Sequence, residues 1–94
     1  MTFYNYEELY HTKDIIVIDE CVEPKKVYKL LDAGYDCLLT GHGKSDDDVR
    51  AKCEDVNGVL LTRDFDFEDY QSAVIYRRDD SFKYVLKKVE RYLK

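Results

Sequence analysis

The sequence predicts an α/β fold, a three-layer, Rossmann-like sandwich built on a four-stranded, mainly parallel sheet. Two observations carry the prediction. Short apolar runs without polar alternation recur at IIVI (15–18), DCLL (36–39), VLLT (59–62) and AVIY (73–76), as expected for strands buried on both faces of a parallel sheet. Stretches with helical spacing lie between them, and strands that alternate with helices join through right-handed crossovers. The 94 residues, 45% apolar, suffice for one small core. No linker interrupts the pattern, so 1–94 reads as a single domain.

The elements follow in order. IIVI is β-branched and ends in Asp19 and Glu20. Pro24 suits a first helical position, and Val27, Leu30, Leu31 and Gly34 fall on one helical stripe that Gly34 stops. DCLL is the second strand, closed by the glycines of TGHG. Ser45 is a natural N-cap with Asp48 three residues on, and the acidic first turn of DDDVRAKCEDVNG suits the helix dipole. VLLT is the third strand and runs into Asp64, Asp66, Glu68 and Asp69. AVIY is the fourth and leads to Arg77 and Arg78. Phe82, Val85, Leu86, Val89 and Leu93 form the stripe of a last helix whose lysines gather at its end. Residues 1–13, MTFYNYEELYHTK, stand outside this alternation; their aromatic residues suit either a small capping helix or a surface for self-association.

Bulk properties narrow the function. Charged residues make up 37% of the chain, against about 25% in ordinary domains, yet the regular apolar runs predict a folded, soluble protein. The net charge of −5 repels nucleic acid, so any nucleic-acid role must be local. Cys21, Cys37 and Cys53 form no Cys-x-x-Cys and have no paired histidines, which excludes the usual zinc patterns and predicts reduced thiols. No signal peptide and no membrane-length apolar run is present, so a cytoplasmic location without membrane association is expected.

Open parallel sheets place their sites outside the carboxyl ends of the strands. That rule gathers Asp19, Asp64 and Asp66 on one edge, and Asp46 opens the helix that follows the second strand. At about 100° per residue, Asp46 lies within roughly 60° of Val49 on the apolar face, whereas Asp47 points away. Two like charges at about 4 Å cost on the order of 4 kcal/mol at an effective dielectric near 20. Such a cluster holds a proton or a cation, and all-oxygen donors favour Mg²⁺ or Mn²⁺. Metal-assisted phosphodiester hydrolysis fits this chemistry. Acids at strand ends and helix starts also serve capping and solubility alone.

Two other motifs fail. TGHGKS lacks the first glycine of a P-loop, because Leu38 stands there; Lys44 remains a candidate for a substrate phosphate. DFDFEDY has Asp69 and Ile75 where a calcium loop needs glycine and glutamate. His11 and His42 read as surface residues.

The motifs VIDE, LLDAGYD, SDDDVRAKC and VLLTRDFDF, in that order over residues 15–67, resemble those of the PIN-like nuclease family, in particular its short members in toxin–antitoxin systems. The resemblance implies a Mg²⁺- or Mn²⁺-dependent ribonuclease acting on RNA, with Asp19, Asp46, Asp64 and Asp66 as its acidic cluster. Asp19, Asp64 and Asp66 would bind metal and Asp46 would add a ligand or orient water. Thr62 matches the family's small hydroxyl residue, whereas Cys21, Glu68 and the tyrosine-rich N-terminus depart from its pattern. Arg77 and Arg78 would join Lys44 in binding substrate, and an antitoxin protein would be a partner. The alternative is a catalytically silent PIN-like module that acts through protein association, including homodimers, by way of Phe3, Tyr4, Tyr6 and Tyr10. A Toprim-like reading pairs Glu20 with Asp64 and Asp66 but lacks the glycine after the glutamate. A receiver-like reading lacks the late lysine, since Arg77 ends the fourth strand.

Overall fold

A computed structural model describes residues 11–94; the segment carrying Phe3, Tyr4, Tyr6 and Tyr10 lies outside the described residues. The elements are β1 (Ile15–Ile18), α1 (Pro24–Asp32), β2 (Cys37–Leu39), α2 (Asp46–Val56), β3 (Gly58–Thr62), a 3₁₀ turn (Phe65–Phe67), β4 (Ala73–Ile75) and α3 (Phe82–Glu90). The strands form a four-stranded sheet in the order β2-β1-β3-β4. Every neighbouring pair is parallel, with Val17 level with Leu38 on one side and Leu60 on the other.

Alternate strand residues feed two cores. Ile16, Ile18, Val59, Leu61 and Val74 pack with Val27 and Leu30 of α1 and Val85 and Val89 of α3. Val17 and Leu60 pack with Val49 and Cys53 of α2 and with Phe67 of the 3₁₀ turn. Helices therefore flank both faces, a Rossmann-like sandwich in general outline. Every residue of β3 is buried, and each such aliphatic side chain contributes about 1.5–3 kcal/mol relative to exposure.

Local chemistry sets the boundaries. Pro24 starts α1 because its missing N–H has no helical partner to lose. Gly34, at φ +92°, ends it: its N–H bonds Leu31 O at 3.0 Å and the Tyr35 N–H bonds Leu30 O at 3.1 Å, the paired closure that a left-handed residue permits. The Ser45 hydroxyl caps α2 by accepting from the Asp48 N–H at 3.1 Å. Asn57, left-handed at φ 53°, closes it, and its side chain donates to Thr12 O at 2.7 Å and Asp14 Oδ2 at 3.1 Å. Gly58 then enters β3 where a Cβ would lie 2.5 Å from Val17 Cγ2.

One expectation from the helical stripe differs. Leu31 is 47% exposed rather than buried, because α1 lies over the border of the sheet and no strand among the described residues lies beyond β2 to cover it. No helix among the described residues is long and apolar enough to cross a membrane.

Candidate metal centre at the carboxyl edge of the sheet

The connection order reverses between β1 and β3, whose neighbours lie on opposite sides. Their carboxyl ends therefore frame the crevice where open α/β sheets bind ligands. Asp46, Asp64 and Asp66 converge there, with one carboxylate oxygen from each lying within 4.8 Å of the others.

Each acid is positioned by its own element. Asp46 is the first residue of α2 and follows the Ser45 cap. Asp64 caps the 3₁₀ turn: its Oδ1 accepts from the Asp66 N–H at 2.9 Å, which fixes the two acids relative to one another. Phe67, 1% exposed, anchors that turn in the core. Two contacts tie the turn to α2. The Arg50 guanidinium lies 5.1 Å from the Phe67 ring centre and 3.4 Å from Asp69. The Tyr70 hydroxyl donates to Glu54 Oε1 at 2.7 Å. Arg50 and Tyr70 thus help set the distance between Asp46 and the Asp64–Asp66 pair.

Asp19 begins from the same edge but takes a different position, only 9% exposed. Its Oδ1 accepts from the Glu20 N–H at 2.9 Å and its Oδ2 from the Thr62 hydroxyl at 2.7 Å. The Thr62 oxygen in turn accepts from the Asp64 N–H at 3.0 Å. A hydrogen-bonded path therefore runs from Asp19 through a buried threonine to the convergent acids. Cys21 Sγ lies 3.4 Å from that threonine oxygen.

Charge accumulates here. Desolvation, followed by the charges of Asp64 and Asp66, raises the Asp46 carboxyl above its usual range; Arg50 opposes this and Asp19 adds to it. Carboxylates so arranged can coordinate a metal ion, and their oxygen-only chemistry suits a hard cation.

A second cluster had no signal in the sequence. The Tyr76 hydroxyl donates to Glu23 Oε2, with Lys26 Nζ at 3.7 Å and Arg63 Nε at 3.5 Å from the same carboxylate. Burial raises Glu23, but the Tyr76 hydrogen bond, a backbone hydrogen bond and the two cations outweigh it, leaving the pKa lowered. Arg63 also donates through Nε to Cys21 O at 2.9 Å. Lys26 is a local i, i+3 neighbour of Glu23, but Arg63 and Tyr76 lie far from it in sequence, so no local pattern announces the cluster.

The remaining candidates are exposed. Lys44 lines a groove of about 410 Å³ with Leu39, Thr40, Asp48, Val49 and Lys52. Arg77 and Arg78 follow β4 at the same edge of the sheet and are exposed. Glu20 accepts from the Gly43 N–H at 3.1 Å and lies 3.4 Å from His42 Nδ1, fastening the loop that leads to α2. Compared with protein-family models, curated proteins and solved structures, the chain matches none.

Proposed function

We propose that this protein is a PIN-like, divalent-metal-dependent ribonuclease that hydrolyses phosphodiester bonds of RNA with Mg²⁺ or Mn²⁺. The observation that carries this reading is the convergence of Asp46, Asp64 and Asp66 to within 4.8 Å at the crevice between β1 and β3. Mutual repulsion at such distances is relieved by a hard cation. The donors suit it, since carboxylate oxygens without imidazole or thiolate favour Mg²⁺ or Mn²⁺ over zinc. A bound divalent cation supplies neutralisation of phosphate charge and a more acidic water.

The chain's own residues do the rest. Asp64 keeps one oxygen on the Asp66 N–H and leaves the other for a ligand. Asp46, whose proton affinity is raised, is suited to orient a water and accept its proton. Asp19 holds the β1 and β3 ends together through Thr62. Lys44, Arg77 and Arg78 supply positive charge for substrate phosphates, a local exception to a net charge of −5. Cytoplasmic action and pairing with an antitoxin protein belong to the same proposal.

Labelled single-stranded RNA incubated with the protein and Mn²⁺ tests it. Cleavage is expected, and both chelator and Asp64→Asn should abolish it. Equal cleavage by Asp64→Asn and the parent sinks the assignment. Mn²⁺ binding without cleavage would favour a silent module acting through protein association.

A further inference from the structure

Among the described residues the sheet ends at β2, which pairs with β1 alone: the Ile16 N–H bonds Asp36 O at 3.0 Å and the Thr40 N–H bonds Ile18 O at 3.1 Å. Parallel pairing of this register turns the N–H and C=O groups of Cys37 and Leu39 outward. Edge strands are commonly protected by shortness, lysine, proline or a bulge; Cys37–Leu39 is short, at three residues, but carries neither lysine nor proline.

Apolar surface gathers at the same border. Leu39 is 66% exposed, Tyr28 67% and Leu31 47%. With Val22, Pro24 and Val27 they line a groove of about 210 Å³ between α1 and β2. An apolar groove beside unpaired backbone suits an added strand that brings apolar side chains with it.

The charge pattern identifies the occupant. Lys25, Tyr28 and Asp32 are spaced i, i+3, i+7 along the exposed side of α1, and neither Lys25 nor Asp32 has an ion-pair partner among the described residues. A two-fold axis passing beside Tyr28, perpendicular to the sheet, would bring Lys25 of one copy toward Asp32 of the other and set the two tyrosines side by side. That axis would also set β2 antiparallel to its copy about Leu38, so that Asp36 opposes the Thr40 end, where Lys44 and Lys52 lie with Asp48 between them in sequence. A surface whose charges complement themselves under a two-fold is the mark of an isologous contact. We infer that the β2–α1 border is a two-fold interface between copies of this chain, which joins two sheets into one continuous sheet.

Antiparallel pairing sends the two acidic clusters to opposite ends of the joined sheet. The inference is therefore independent of the ribonuclease reading and survives its failure.

Light scattering on the full chain after size exclusion tests it, with circular dichroism confirming that each variant keeps the parent's fold. Twice the chain mass is expected. Leu39→Asp should weaken association at least about tenfold. Lys25→Asp and Asp32→Lys should each weaken it, and the combined charge exchange should recover most of the loss. A parent that stays monomeric overturns the inference. So does a dimer indifferent to Leu39→Asp, a double variant no tighter than the singles, or a dimer lost only when residues 1–10 are deleted.

Discussion

The Thr62 hydroxyl donates to Asp19 Oδ2 at 2.7 Å while its oxygen accepts from the Asp64 N–H at 3.0 Å. One fully buried side chain thus joins the carboxyl ends of β1 and β3. It satisfies a buried carboxylate and a backbone donor at once.

Thr62→Val, nearly the same shape without the hydroxyl, should therefore cost about 1–3 kcal/mol, because both partners lose their bond. Urea denaturation measures this, and Thr62→Ser should recover most of the loss. A midpoint unchanged in the valine variant would mean that the bridge contributes nothing.

Asp46 should be unfavourable to the metal-free fold. Its folded pKa is raised above the ordinary 3.8 by desolvation, Asp64 and Asp66, so in the window above 3.8 the folded state binds more protons than the unfolded one. Its contribution to stability accordingly falls as pH rises through that window. Asp46→Asn should raise the thermal midpoint of the metal-free protein at neutral pH and abolish the rise that Mn²⁺ gives the parent. A lowered metal-free midpoint would show that repulsion does not govern this position.

Glu23 has the opposite sign. Burial raises it, but the Tyr76 hydrogen bond, a backbone hydrogen bond and the cations Lys26 and Arg63 leave its folded pKa below the usual 4.5. Its stabilisation is present above 4.5 and is lost as pH falls through the lowered folded value. Tyr76→Phe should cost about 1–3 kcal/mol at neutral pH and shrink the loss of stability on acidification. Superimposable pH–stability curves for parent and variant would rule out the coupling.

Gly58→Ala should destabilise by about 1–3 kcal/mol, since its Cβ would sit 2.5 Å from Val17 Cγ2. The Val17 side chain fills the space beside Gly58, with Ile15 Cγ2 and O at 3.3 Å behind it. Calorimetry that finds equal stability would mean that these groups move aside without cost.

Much of the architecture was legible because its signals are local. Pro24, Gly34 and Ser45 start or stop helices through their own backbone or a partner three residues away, and the structure uses each of them so. The convergence of Asp46, Asp64 and Asp66 was legible for a similar reason: strand ends and one helical angle place all three on the same edge. Leu31 shows the limit. Its spacing is right for burial, but burial also depends on what lies opposite, and among the described residues the sheet ends at β2.

The alternation of strands and helices, the edge toward which the acids run and the inward turn of Asp46 can all be read from the chain alone, because hydrophobic period and helix capping act over a few residues. The strand order β2-β1-β3-β4, the hold of Thr62 on Asp19, the meeting of Glu23 with Tyr76 and, among the described residues, the exposed apolar border at β2 emerge in the folded molecule alone. Those features depend on which distant segments become neighbours, and the balance of packing over the whole sheet sets that.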